Sequence, residues 1–228
     1  MDNINELAEK VHQAFEARTR TRDEVLGQAR LLTRHAAHAI RAIHRSEQDL
    51  AAEHLQAGRA IVDGLKHDLA DYPELYYAGY TQDAIKEYAE ASITCALIQD
   101  QELPMPEELG VEYATYLNGL AEAVGELRRR TLDILRHGYS EEAERLLGWM
   151  DEIYALMVTL DYPDAVTNGL RRHTDLMRGI VERTRGDMTI SLREQKLQEA
   201  LNKALGAGVS LPLPEPETET PDEDHSGV

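Results

Sequence analysis

Apolar residues recur at three- and four-residue steps along most of the chain, and no stretch sustains the period-two alternation of a strand. Val25, Leu32, Ala36, Ala39, Ile40 and Ile43 form the apolar stripe of a helix predicted over about residues 3–44, with arginines beside it. A second helix reads over about 48–69. It ends in a rigid aromatic connection, Asp71-Tyr72-Pro73-Glu74-Leu75-Tyr76-Tyr77-Ala78-Gly79-Tyr80. A third helix, about 81–100, stops before Pro104 and Pro106. A fourth, about 106–136, closes on His137-Gly138, a C-terminal signal. Ser140 reads as the N-cap of a fifth, which ends near Leu160, with Glu141 and Glu142 well placed in its first turn. Asp161-Tyr162-Pro163 then precedes the last long stretch, about 164–205. The fold class is all-α.

Residues 206–228 break the pattern. They are rich in Pro, Glu and Thr with no periodic apolar positions, and too little surface can be buried there to fold. The expected organisation is one helical domain, 1–205, and a disordered acidic tail, 206–228. An extended bundle of 228 residues needs no second domain. Aromatics are few at 5%, so Leu, Ala and Ile must do most of the packing. No apolar run approaches a membrane span and no charged-then-apolar leader opens the chain, so a cytoplasmic protein with no membrane partner is expected. The single cysteine, Cys95, allows neither an internal disulfide nor a cysteine zinc cluster. Its apolar neighbours read as a buried, inert thiol.

A net charge of −18 argues at first against nucleic acid, because phosphate repels an acidic surface. The distribution changes that. Six of the acidic residues lie between Pro212 and Val228, whereas Arg18 to Arg45 carries seven arginines against Asp23 and Glu24. Arg171, Arg172, Arg178, Arg183 and Arg185 form a second basic cluster. Local patches decide binding, so the overall acidity is no veto.

Two carboxylate pairs stand out. Glu87 and Glu90 lie roughly 60° apart on the third helix, at about 100° per residue, and the nearly all-apolar run from Ala91 to Ile98 follows them. Glu122 and Glu126 lie one turn apart on the fourth helix, opposite the stripe of Tyr113, Leu117, Leu120, Val124, Leu127 and Leu135. Gly119 and Gly125 flank them and would admit another backbone. Most such pairs are solvated faces. Two pairs on neighbouring helices are a stronger signal, because four clustered carboxylates need compensation and a hard cation supplies it. Oxygen-only ligation suits Mg²⁺ or Mn²⁺. Phosphodiester hydrolysis and nucleoside triphosphate pyrophosphohydrolysis both fit that chemistry. Di-iron redox work is demoted, because none of the four glutamates has a histidine three residues on. A third constellation, Arg30, Arg34, His38, Arg41, His44 and Arg45, can contact phosphates and stack on bases, although composition alone reads it as a solvated basic stripe.

These motifs resemble the translin superfamily. Ala29-Arg30, Thr33, Ile40 and Ile43-His44-Arg45 follow the register of the family's amino-terminal helix. Glu87-Tyr88-Ala89-Glu90-Ala91 is similar to the Glu-Tyr-x-Glu-Ala pattern of the nuclease-bearing branch, translin-associated factor X. Thr115-Tyr116-Leu117 through Gly125-Glu126-Leu127 is similar to that branch's second acidic motif. The resemblance runs from about Asp23 to Leu192. It implies a translin-like seven-helix bundle that assembles into a closed, roughly octameric homo-oligomer enclosing nucleic acid. It further implies that Glu87, Glu90, Glu122 and Glu126 hold Mg²⁺ or Mn²⁺ and cut single-stranded RNA, with Arg30, Arg34, His38, Arg41, His44 and Arg45 binding the strand. Glu122 stands where the branch has aspartate, Ala37-His38 stands where the family has a basic pair, and the acidic tail has no counterpart. Two alternatives stay open: a non-catalytic translin-type binder of DNA or RNA, and an all-α pyrophosphohydrolase.

Overall fold

The computed structural model describes residues 2–206, in which the helices are α1 Asp2–His44, α2 Gln48–Asp68, α3 Pro73–Tyr76, α4 Gly79–Ile98, α5 Pro106–Leu109, α6 Tyr113–Leu135, α7 Glu141–Val158, α8 Asp164–Thr167 and α9 Leu170–Gly206. No strand occurs among the described residues, and the all-α reading stands. The seven helices that the resemblance implies fall between the six long helices and the nine helical segments among the described residues. The expected tail lies outside the described residues, apart from Gly206, which ends α9.

The central helix is α4. It packs against α1, α6 and α2, and nearly every residue from Tyr88 to Leu97 is buried, as its all-round apolar pattern requires. α6 lies between α4 and the pair α7 and α9. Leu32, Ile85, Ile93, Leu97, Leu120, Leu127 and Leu146 fill the main core. A smaller cluster joins Ala36, Ala39 and Ile43 of α1 to Ala91 and Cys95 of α4. The Cys95 thiol is buried and pushed up to about 12 by that burial, so it stays protonated and inert.

Two helices read as continuous are each split. Gly110 takes a left-handed conformation (φ 65°) and ends α5, so α6 starts afresh at Tyr113. Asn168 (φ 52°) and Gly169 (φ 84°) separate α8 from α9 in the same way. Apolar spacing carries across both breaks and hides them; only the left-handed residues mark them. The Ser140 cap forms as expected, its hydroxyl oxygen accepting from the Ala143 N–H at 3.3 Å.

Met150 is fully buried and Trp149 packs partly buried on the core. The apolar residues that reach solvent lie elsewhere. Ile4, Leu7 and Phe15 line the outer part of α1, and Leu197, Leu201 and Leu205 line the end of α9. No helix among the described residues is long and apolar enough to cross a membrane.

Candidate metal centre

α4 and α6 run parallel and in register. Thr115 donates to Gln82 Oε1 at 2.5 Å, and one turn on Lys86 reaches Glu122 at 2.6 Å. Their backbones meet at Gly119, where an added Cβ would stand 2.9 Å from the Lys86 carbonyl oxygen and 3.0 Å from the Glu90 nitrogen. Only glycine permits that approach. The same expectation does not hold for Gly125, which has open space where a Cβ would go. On the other side of α4, the Tyr88 ring lies against Gly58 of α2 and is buried. The Glu-Tyr-x-Glu motif is therefore divided by the helix: tyrosine anchors α4 to α2, while the glutamates face α6.

This crossing brings Glu87, Glu90 and Glu122 together, with one oxygen from each lying within 4.8 Å of the others. Glu90, only 9% exposed, is the buried member. Its carboxyl is pushed up to about 8, by burial first and then by the charges of Glu87, Glu122 and Glu126, with Lys86 pulling the other way. Glu126 stands beside the trio. His44 bonds it through Nε2 at 2.6 Å, and Arg129 approaches at 3.5 Å. The His44 hydrogen bond holds the Glu126 carboxyl below its ordinary range against the opposing effect of burial. Lys86 sits 2.6 Å from Glu122 and 3.4 Å from Glu87. Burial works against its charge, but its bond to Glu122 and the two carboxylates raise its pKa overall.

Local compensation is thus uneven. Lys86 serves Glu122 and Glu87, His44 and Arg129 serve Glu126, and Glu90 is left to hold a proton. An all-oxygen donor set with an uncompensated buried carboxylate fits a hard divalent cation, which would displace that proton on binding.

The basic positions divide as well. Arg30, Arg34, His38 and Arg41 are exposed along α1 and Arg45 just past its end, and the four arginines have no ion-pair partner among the described residues, unlike Arg18 with Glu74 and Arg22 with Asp23. His44 departs from the stripe: its side chain is 4% exposed and tied to Glu126. His38 is part of a histidine group that the linear pattern did not show. His35 Nδ1 lies 3.1 Å from His54 Nδ1, and the His38 ring centroid is 5.0 Å from that of His54. In the second basic cluster, Arg178 and Arg185 are paired with Glu182 and Asp151.

Sequence reasoning missed Lys86 and the second role of His44. Lys86 adjoins Glu87 in the chain, but nothing local pairs it with Glu122, 36 residues on. His44 and Glu126 are 82 residues apart.

No family model matches the chain. It is 34% identical over 184 residues to an uncharacterized protein of Methanocaldococcus jannaschii, covering 80% of this chain and 81% of that one. Among solved structures it is similar to crystalline AfC3PO, with 32% identity, a TM-score of 0.76 and coverage of 82% of this chain and 97% of the other. AfC3PO in complex with duplex RNA matches at 32% identity and a TM-score of 0.75, over 82% and 96% of the two chains. Apo-NeC3PO shares the fold at 19% identity and a TM-score of 0.73, over 80% and 96%.

Proposed function

From the premise that this chain belongs to the translin superfamily, the family of the C3PO proteins, we propose that it is a metal-dependent endoribonuclease that works on single-stranded RNA inside a homo-oligomeric shell. The carboxylate trio of Glu87, Glu90 and Glu122, within 4.8 Å and backed by Glu126, is the observation that carries this reading. A bound Mg²⁺ or Mn²⁺ supplies an activated water and charge stabilisation for in-line displacement at phosphorus. The chain's own side chains do the rest. Glu87, Glu90 and Glu122 would hold the ion with Glu126 completing the set, and His44 fixes the orientation of Glu126 through their 2.6 Å bond. Arg30, Arg34 and Arg41 on α1 and Arg45 just past it contact phosphates, and His38 is exposed among them. Glutamates occupy all four positions that the resemblance assigns to the nuclease branch, and three of them converge, which supports that branch, translin-associated factor X, over a binder that does not cut.

The exposed apolar residues of α1 and α9 give the shell its contacts between copies, in an octamer as the family resemblance implies. A monomeric mass at micromolar concentration would refute the shell.

The decisive substitution is Glu126→Gln, which keeps size and hydrogen bonding but removes a negative charge. It should lower RNA cleavage by ~10³-fold or more while leaving assembly and RNA affinity close to wild type. Chelator should stop the wild-type protein, and Mg²⁺ or Mn²⁺ should restore it. Full activity in Glu126→Gln, or cleavage in excess chelator, overturns the mechanism. RNA binding with no cleavage under any metal points instead to a non-catalytic translin-type protein, and hydrolysis of free nucleoside triphosphates to a pyrophosphohydrolase.

A further inference from the structure

The Lys86 ammonium lies 2.7 Å from Oε1 and 2.6 Å from Oε2 of Glu122, and 3.4 Å from Glu87 Oε1. One cation therefore engages both oxygens of Glu122 and a third oxygen from Glu87. Two members of the carboxylate trio already hold a charge of the sign that a metal ion would bring.

The helices do not depend on that contact for their placement. The close approach at Gly119 and the bond from Thr115 to Gln82 join α4 to α6 without it. What the ammonium supplies is electrostatic: it offsets the repulsion between Glu87 and Glu122 when no metal is bound. A divalent ion on the same oxygens would do so with twice the charge, and would meet the ammonium as a like charge at close range. The two cations compete for one place, so the lysine needs another.

One turn toward the amino termini of α4 and α6 from the carboxylates lies a polar cavity of about 120 Å³, lined by Lys86 together with Asp83, Thr115 and Asn118. At ~30 Å³ per water it holds roughly four waters, room enough for an ammonium group. Thr115 donates to Gln82, and the Asn118 amide donates to the carbonyls of Ala114 and Thr167, so these walls are tied to their own neighbours. Asp83 is the carboxylate of the lining. It is exposed and has no ion-pair partner among the described residues. It stands three residues before Lys86 on α4, a spacing at which an acid and a base on one helix meet.

Resting on the reading of this chain as a metal-dependent nuclease, we infer that Lys86 is a counter-ion that the metal displaces: it holds Glu122 and Glu87 when no metal is bound, and yields them to a divalent cation by turning into the cavity to pair with Asp83. Lys86 is then a positioning residue. It keeps two ligands gathered, and it sets the affinity for metal below what the glutamates alone would give.

The test is a calorimetric titration of the full chain with Mg²⁺, in the wild type, Lys86→Met, Asp83→Asn and the double variant. Lys86→Met should bind Mg²⁺ at least ~10-fold more tightly, because a competing like charge is gone. Asp83→Asn should weaken binding by ~2-fold, as loss of one helical ion pair does, and only where Lys86 is present. An equal loss in both backgrounds shows no coupling between the two residues and overturns the inference. A second measurement needs no variant and decides alone if Lys86→Met does not fold. Limited acetylation of the wild type, read by mass spectrometry, should modify Lys86 faster once Mg²⁺ is added, while exposed Lys66 and Lys196 keep their rates. Lys86 reactivity that is unchanged or lower, or a Lys86→Met affinity no higher than wild type, makes Lys86 a fixed bridge and overturns the inference. Mg²⁺ binding by the wild type then leaves the metal reading intact. Binding by Lys86→Met but not by the wild type does the reverse: the rivalry stands and the metal-dependent nuclease falls. Absence of Mg²⁺ binding in every variant overturns both.

Discussion

The crossing of α4 and α6 and the exposed face of α1 both carry concentrated charge, but they hold it by opposite means. At the crossing, Glu90 is buried, and its neighbours are tied by Lys86, His44 and Arg129. Along α1 and just past its end, Arg30, Arg34, Arg41 and Arg45 stand in solvent without ion-pair partners among the described residues. A helix alone is enough to line up the arginines. The carboxylates converge only because Gly119 lets two backbones touch. Placement of like charges against desolvation and mutual repulsion costs stability, whereas a solvated arginine row costs almost none. The costly arrangement is the one whose repulsion a bound cation would relieve, and the cheap one suits a polyanion whose binding is set by salt.

The sharpest test of this division is His44, the residue that belongs to the basic face by sequence and to the carboxylates by structure. His44→Ala should lower RNA cleavage by ~10–100-fold, as loss of a ligand-orienting partner does, with RNA affinity unchanged. A loss in affinity with an unaltered cleavage step would return His44 to the phosphate face. Gly119→Ala comes next. Helix propensity favours alanine by ~1 kcal/mol, but the new methyl meets backbone atoms on α4 that cannot swing aside. The net cost should be ~1–3 kcal/mol, seen as a melting temperature lower by several degrees and a weakened metal response. Gly125→Ala, with open space around it, should not destabilise the protein.

On the basic side, replacing Arg30 and Arg34 together by alanine should weaken binding evenly across RNA sequences. It should flatten the salt dependence of binding by a slope of about 2, one per phosphate contact. An unchanged slope would mean that α1 does not face the strand. The smallest effect is the pH dependence of the metal-free protein. Glu90 is raised to about 8, so between its ordinary value and that point the folded state holds a proton that the unfolded chain gives up. Its contribution to stability is complete below the ordinary carboxylate range and is lost as pH rises through about 8. Melts in chelator at pH 6 and pH 8.5 should show a fall that Glu90→Gln removes; an equal fall in the variant would assign it to other groups.

Much of the architecture could be read from helical spacing. The long helices end within a few residues of their expected limits and α1, α2, α4 and α7 also begin there, and the Ser140 cap and the all-round burial of α4 follow from local pattern. What spacing could not show were the breaks at Gly110 and Asn168, where the apolar rhythm continues through a left-handed residue. All four glutamates were legible as motif residues, but Lys86 and Asn118 were not, since each gains its meaning from a neighbour on another element.

By itself, then, the amino-acid sequence determined the helices, their apolar faces and the arginine row, because those depend on residues three and four apart on a single helix. Tertiary structure alone decided which of the carboxylates is buried, which is bound to histidine, which cation serves them and where a polar cavity opens beside them. Such relations join residues tens of positions apart. They are set by how closely two backbones can approach, a matter of one missing methyl group at Gly119.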